Sequence, residues 1–178
     1  MRTLTIKKSN GAKFSPGWKT VEIIKAVYGD YNGTKYVDCY FKDYPDSLNL
    51  RIYAKQGKDG EEFAIGRLFR FANAGITEVL NGPNGENVVK IDDSPASLIG
   101  KSINVFFYKD GDYSRILSSV APVEFENQIE SFGENDITYW KNQAEKYYHT
   151  YVADKVANSS SSMDSVVNTS DSDNDLPI

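Results

Sequence analysis

The order of predicted strands and helices constrains the fold of this chain more than any other feature of its 178 residues. Turn residues such as Gly, Asn, Asp and Pro separate stretches that are rich in β-branched and aromatic side chains. Three strands are predicted first, at 18–28, 35–41 and 48–54. The apolar spacing then changes to that of a helix at 61–76, which Gly75 is placed to end. A short strand is predicted at 88–91, and two further main strands at 101–108 and 114–123.

An order of three strands, one helix and two strands is that of the OB-fold, a five-stranded Greek-key barrel. Other small β-barrels and α+β sheets share this order, so they remain alternatives. After the barrel, the spacing of apolar residues predicts a second helix at 135–158, which Asn135 or Asp136 can cap. The predicted class is therefore mainly β: an OB-fold barrel with one helix between strands 3 and 4, a C-terminal helix and a disordered acidic tail.

The charge distribution suggests four segments within the net charge of -5. They are an N-terminal arm (1–15), the OB-fold domain (16–123), a linker with the amphipathic C-terminal helix (124–157), and a flexible Ser-rich linker with the acidic tail (158–178). The first 123 residues carry 17 Lys and Arg against 14 Asp and Glu, whereas 158–178 carries four acids and no base. A basic body with an acidic end favours a polyanion as the partner of the body, although a solubilising tail is the simpler explanation.

Alternation along the strands sorts side chains into two faces. On the second and third strands, one face is apolar and should fill the barrel, while the other displays tyrosines and an arginine. Aromatic rings can stack on any base, and Lys or Arg can hold phosphates. Together with the two loops that flank this face in an OB-fold, it predicts a set of nucleic-acid contacts: Tyr31, Tyr36, Tyr40, Lys42, Arg51, Tyr53, Lys109, Tyr113 and Arg115. Tyrosine is also common in strands that bind nothing.

The second helix carries an aromatic stripe at helical spacing, formed by Ile137, Trp140, Ala144, Tyr147, Tyr148 and Tyr151. We expect this stripe to pack on the barrel or to pair with another subunit, rather than to stack on bases.

Few residues could support catalysis. The chain has one histidine, His149, and one cysteine, Cys39, so no cluster that needs a second His or Cys can be assembled, and we expect neither a catalytic site nor a metal or other cofactor. Paired acids such as Glu61 and Glu62 are better explained as a helix start, and Asp92 and Asp93 as a loop. No apolar run is long enough to cross a membrane, and the start of the chain does not read as a signal peptide, so we expect no membrane partner.

The last residues, "SDSDNDLPI", and the strand pattern together resemble single-stranded DNA-binding proteins of bacteria and their phages. The stretches "GWKTVEIIKAVYGDYNGTKYVDCYF" and "SLIGKSINVFFYKDGDYSRI" are most similar to phage-encoded members. Bacterial members typically end in Asp-Asp-Asp-Ile-Pro-Phe, whereas this chain has Asn174 within the acidic run and Ile178 at the tip. The resemblance implies an OB-fold, a flexible linker and a tail that recruits other proteins.

The resemblance also implies a function: sequence-independent binding and protection of single-stranded DNA in phage replication, recombination or repair, in the cytoplasm of the host bacterium. Replication and recombination proteins would then bind the tail residues Asp171, Asp173, Asp175, Leu176, Pro177 and Ile178. The alternative is a protein-interaction or oligomerisation module of a phage complex that binds no DNA. A nuclease with a carboxylate metal site is a third, weaker hypothesis.

Overall fold

The computed structural model describes residues 1–6 and 14–156, so the predicted tail and its partner-binding residues lie outside the described residues. Nine strands are described: β1 (Gly17–Tyr31), β2 (Thr34–Phe41), β3 (Leu50–Tyr53), β4 (Ile76–Asn81), β5 (Asn87–Ile91), β6 (Ser102–Asp110), β7 (Tyr113–Ile116), β8 (Phe125–Glu126) and β9 (Ser131–Phe132). Five of them form an antiparallel sheet in the order β3-β2-β1-β6-β7. The prediction of a mainly β chain built on five strands is therefore confirmed.

Strand β1 is long because it serves both halves of the sheet. Its first part, from Gly17 to Glu22, pairs with β6, and its second part, from Ile23 to Tyr31, pairs with β2. The register with β2 shifts between Ile23 and Lys25, which marks a β-bulge at the intervening residue. Bulges bend a strand and increase its twist, so the two halves of the sheet can face each other across a common interior.

No hydrogen-bonded ladder joins the two edge strands, β3 and β7, within the described residues, so the five strands form an open sheet. The fifth predicted strand ends early, at Ile116 rather than at 123. Beyond it, the chain makes a single antiparallel bridge between Ala121 and Asn104 of β6. The Asn104 side chain also donates a hydrogen bond to the Pro122 carbonyl at 2.9 Å, which holds this segment against β6.

Helix α1 (Ala64–Phe71) is shorter than the predicted helix at 61–76. It ends because Asn73 adopts a left-handed conformation with φ 53°. The amides of Ala74 and Asn73 then donate to the carbonyls of Phe69 and Arg70, which is the hydrogen-bond pattern of a Schellman motif. The stop residue is thus Asn73, and the assignment of that role to Gly75 was wrong.

Gly75 instead begins a two-stranded sheet, β4–β5, that the sequence analysis missed apart from a short strand near 88–91. The backbone of Asp92 pairs with that of Gly75, and a Cβ atom at Gly75 would lie 2.3 Å from the Asp92 carbonyl oxygen. Only glycine permits this close approach, so the residue closes the hairpin base. A second small pair, β8–β9, lies in the segment predicted to be a linker.

The hydrophobic core lies on the inner faces of both halves of the sheet and is closed at one end by α1. Alternate residues of β2 and β3 point inward as predicted, and they are almost fully buried: Val37, Cys39, Phe41, Leu50 and Ile52. Strand β6 contributes Ile103, Val105 and Phe107, and α1 contributes Ile65, Leu68 and Phe69. Burial of such side chains stabilises the fold by roughly 1.5–3 kcal/mol each.

The C-terminal helix is confirmed as α2 (Glu134–Tyr147), which continues through a wider π-helical turn (Tyr148–Val152). It begins one residue before the predicted range, and Asp136 caps it from inside by accepting the Gly133 N–H at 2.9 Å. Short 3-10 turns occur at Pro83–Gly85 and Pro95–Leu98. In the described part of the chain, no helix combines the length and apolar character needed to cross a lipid bilayer.

Candidate nucleic-acid interface

The outer face of β2 and β3 carries the central predicted contacts. We call the side chains of Tyr36, Tyr40, Arg51 and Tyr53 the tyrosine platform. Strand register places Tyr36 directly opposite Tyr53, and Arg51 directly opposite Asp38, which shares the same face. The four predicted residues are therefore brought together as expected, on two neighbouring strands with their side chains directed away from the core.

Two rings form the centre of the platform. Those of Tyr36 and Tyr53 meet edge to face, with centroids 5.5 Å apart and an interplanar angle of 70°. The Tyr36 ring also lies across the backbone of β1, because a Cβ atom built on Gly29 would be only 2.4 Å from that ring. Glycine at this position therefore makes room for the ring, which is held between Tyr53 of β3 and the backbone of β1.

Arg51 completes the platform in a fixed orientation. Its Nε and Nη2 atoms donate to the two carboxylate oxygens of Asp38, each at 2.8 Å. The guanidinium carbon lies over the Tyr36 ring, 3.7 Å from its centre, which is within cation–π distance. The hydrogen bond to Asp38 raises the pKa of Arg51 above its already high ordinary value. Arg51 is thus permanently charged, and 40% of its side chain is exposed.

Asp38 is the functional neighbour that the sequence analysis left out of the site. Its side chain is only 10% exposed, and both of its oxygens bond to Arg51. An unpaired carboxylate here would repel phosphates, whereas the bidentate pair neutralises it and orients the arginine. The sequence did contain a clue, because Asp38 alternates with the two tyrosines of β2 and so shares their face.

Lysines extend the positive charge toward one end of the platform. The ammonium group of Lys25 lies 5.1 Å from the centre of the Tyr40 ring, at the point where β1 pairs with β2. Lys42 follows β2 and is exposed, while its backbone amide bonds to the Glu22 carbonyl at 3.0 Å. Cations on ring faces keep their charge available to solvent and to phosphates.

The predicted residues of the β6–β7 hairpin form a separate group. Arg115 pairs with Asp110 at 2.8 Å, and Lys109 donates to the Ser114 hydroxyl at 2.9 Å. The Tyr113 side chain is 70% exposed, with the Arg115 guanidinium 5.8 Å from its ring centre. These contacts lie within the hairpin itself.

The tyrosine platform and the β6–β7 hairpin group lie toward opposite ends of β1. Gly17, at the start of β1, pairs with Phe107, just before the β6–β7 turn. Tyr31, at the other end, is the last residue of β1 before the β1–β2 turn and is exposed. The structure therefore unites the platform residues but separates them from the hairpin group. Any ligand that contacts both must follow the length of this strand.

Helix α2 covers a different aromatic surface, on the outer face of β6. The Tyr148 ring packs on Phe106 and Tyr108, with centroids 5.3 and 5.4 Å apart. The Trp18 indole N–H donates to Glu145 at 2.8 Å. Nearer the start of α2, Ala144 is fully buried, and the Trp140 ring packs on the Phe71 ring of α1 with centroids 5.0 Å apart. The helical stripe therefore packs on the body of the protein, as expected.

The remaining polar clusters have structural explanations in residues 1–6 and 14–156. No group of three or more His, Cys, Asp and Glu side chains there is arranged to hold a metal ion. The Glu62 carboxylate accepts hydrogen bonds from the backbone amides at the start of α1, as its position in the sequence suggested. His149 is exposed on the C-terminal helix.

Comparisons of this chain with models of known protein families, with curated proteins and with solved structures found no match.

Proposed function

We propose that this chain binds single-stranded DNA without sequence preference, through the tyrosine platform, and that it is a binding protein rather than an enzyme. The observation that carries the proposal is the arrangement of Arg51, which lies over the Tyr36 ring and is held there by Asp38. An exposed, preoriented guanidinium beside two aromatic rings offers both kinds of contact that single strands require.

Both contacts are independent of sequence. Every base has a π-face, so rings such as Tyr40 and Tyr53 can stack on any of them, with each base contributing about 1–3 kcal/mol. The cations Lys25, Lys42 and Arg51 would meet phosphates, which release counterions when they are neutralised. The binding should therefore weaken steeply as salt concentration rises.

The fold supports the same proposal. We take the open sheet to be an OB-fold whose ladder is interrupted between β3 and β7, because β1 is shared by both halves and α1 lies between the third and fourth sheet strands. In an OB-fold, the face of the second and third strands is the one that binds oligonucleotides, and this is where the platform lies.

The tail belongs to the proposal as a second, protein-binding element. Acidic residues before an apolar tip are suited to a basic pocket on a partner. In this proposal the tail at 171–178 recruits replication, recombination or repair proteins, and a phage-encoded protein would act in the cytoplasm of its bacterial host.

The test is a titration of the full chain with oligo-dT and with duplex DNA over a salt series. We expect tight binding of oligo-dT that weakens with salt. Tyr53→Leu keeps most of the apolar area but removes the ring, and we expect it to lower the affinity about 5- to 150-fold, the equivalent of one lost base stack.

The control is Leu80→Ala, because Leu80 is an exposed apolar residue of the β4–β5 hairpin, outside the platform, and its loss should have no effect on affinity. Absence of oligo-dT binding by the unaltered chain at low salt would overturn the proposal and favour the protein-interaction module. Digestion of the DNA in the presence of Mg²⁺ would favour the nuclease.

A further inference from the structure

A groove of about 410 Å³ opens at the interrupted edge of the sheet, between β3 and Ser118–Val120. Its volume is within the range of pockets that take small molecules. Arg51 and Tyr53 form part of its wall, so the groove is continuous with the tyrosine platform. Tyr147 of α2 forms part of the lining as well.

The residues that line the groove include positively charged side chains but no negatively charged ones. The lining contains three cationic side chains, Arg51, Lys55 and Arg67, together with the hydroxyl groups of Ser118 and Ser119, and none of its residues is acidic. The aromatic lining residues are Tyr53, Phe63 and Tyr147. Cations and hydroxyls bind phosphate oxygens, and rings bind bases, so the lining matches a nucleotide.

Arg67 is the least satisfied of these cations. It is partly buried on α1, with its guanidinium carbon 4.9 Å from the Trp140 ring centre and 5.6 Å from that of Phe63. No carboxylate of the described residues lies within ion-pair distance of it. The nearby Glu62 carboxylate is engaged by four backbone amides instead.

The next arginine on α1 shows the contrast. Arg70 donates to both carboxylate oxygens of Glu130, at 2.8 and 3.2 Å. Burial, and then repulsion from Arg70, lowers the pKa of Arg67, in keeping with a guanidinium that forms no ion pair among the described residues. An anion that entered the groove would supply the missing partner and would offset this desolvation cost.

We infer that the groove holds one nucleotide of the DNA strand that crosses the tyrosine platform, with its phosphate on Arg67 and Lys55 and its base against the aromatic lining. This inference rests on the proposed function and adds a path for the DNA. The DNA strand leaves the platform past Arg51 and Tyr53 and enters the open edge of the sheet between β3 and Ser118–Val120. The interrupted ladder then serves as part of the binding surface.

The first test compares two arginines of one helix. We expect Arg67→Gln to lower the oligo-dT affinity about 5- to 10-fold at low salt, and to reduce the slope of log K against log salt by about 0.7, the value for one phosphate on a single strand. Arg70→Gln removes an equal charge one turn away, outside the lining of the groove, and should leave the slope unchanged.

A second readout is local to the groove. In a Trp18→Phe background, the remaining tryptophan is Trp140, which contacts Arg67. We expect oligo-dT to change the Trp140 fluorescence, and Arg67→Gln to suppress that change. Lys55→Gln alters an exposed side chain and should lower the slope without loss of thermal stability, which keeps the test decisive if Arg67→Gln fails to fold.

The outcomes separate the two proposals. If the unaltered chain binds no oligo-dT, the proposed function fails and the inference fails with it. If the chain binds, and if Arg67→Gln and Lys55→Gln keep its affinity and slope, the inference alone is overturned. Tighter DNA binding by Arg67→Gln also overturns it, since the groove would then hold a competing acidic segment of protein.

Discussion

Two aromatic surfaces lie on the outside of one sheet, and the C-terminal helix covers one of them but not the other. On β6, the rings of Phe106 and Tyr108 are covered by Tyr148 of α2. On β2 and β3, the rings of Tyr36 and Tyr53 are half-buried, and the side chain that lies over Tyr36 is the exposed Arg51. Aromatic residues on an outer strand face therefore indicate a contact surface, either for another part of the protein or for a ligand. The packing of α2 shows that the surface on β6 is the one used within the protein.

The largest expected effect tests the covered surface. Phe106 lies between Trp18 and Tyr148, with both centroids 5.3 Å away. We expect Phe106→Ala to lower the free energy of unfolding by about 3 kcal/mol in urea denaturation, because it leaves a cavity beneath α2. The folded variant should bind oligo-dT as the unaltered chain does. Loss of affinity with unchanged stability would instead make the covered surface part of the interface.

The second effect tests the uncovered surface through a residue beneath it. Gly29→Ala places a Cβ atom where the Tyr36 ring lies, so the ring must leave its place over β1 and its packing against Arg51 is disturbed. We expect the oligo-dT affinity to fall by about 2 kcal/mol, an effect comparable to one lost base stack, because Arg51 and Tyr53 lose the ring against which they pack. Tyr36→Ala should show the same loss, and the double variant should show no more, because both act on one ring.

Gly133→Ala is the control for that substitution, since a Cβ atom there meets nothing within 4 Å. An additive loss in the double variant would show that Gly29 acts by some route other than Tyr36.

A third effect tests the interior beneath the platform. Burial, with a smaller contribution from Asp38, raises the pKa of the Cys39 thiol from 9.0 to about 12. The unfolded chain then loses this proton near pH 9 while the folded chain keeps it, so the stabilising contribution is complete below pH 9 and is lost as the pH rises toward 12. We expect the thiol to account for about 1.4 kcal/mol of the stability lost between pH 8 and pH 10.

The measurement is the urea midpoint at both pH values for the unaltered chain and for Cys39→Ala. The variant should be less stable at pH 8 but should lose less stability on going to pH 10. An equal loss in both proteins would mean that water reaches the interior below the platform.

The smallest effect separates charge from geometry on the platform. Arg51→Lys keeps the charge but cannot form the bidentate pair with Asp38 or stack on Tyr36. We expect an affinity loss of about 1 kcal/mol with an unchanged salt slope, since the number of phosphates neutralised stays the same. Lys42→Arg, at an exposed position, should change neither. A reduced slope in Arg51→Lys would contradict this assignment.

Much of the sheet could be predicted because its strands are locally encoded. The alternation of Val37, Cys39 and Phe41 with Tyr36 and Tyr40 identifies both faces of β2, and the structure places them as expected. The helix end and the β4–β5 hairpin could not be read in this way. Asn73 and Gly75 are both suited to a left-handed turn, and the choice between them depends on tertiary contacts with Asp92.

The site was predictable only in part for a similar reason. Strand alternation groups Tyr36 with Tyr40, and Arg51 with Tyr53, without any knowledge of register. The Asp38–Arg51 pair depends on which residues of β2 and β3 lie opposite each other, and the unpaired state of Arg67 depends on where Glu62 and Glu130 point. Pairing between elements is a property of the folded chain rather than of local pattern.

The shared strand β1 has a consequence for the order in which the molecule folds. Its second half meets β2 across a two-residue turn, whereas Thr20 in its first half lies 84 residues from its partner Asn104. Closing the short loop is fast and closing the long one is slow, so the β1–β2–β3 meander should form first and β6 should dock late. We expect Val37→Ala mainly to slow folding and Val105→Ala mainly to speed unfolding in stopped-flow kinetics, and the reverse pattern would exclude this order.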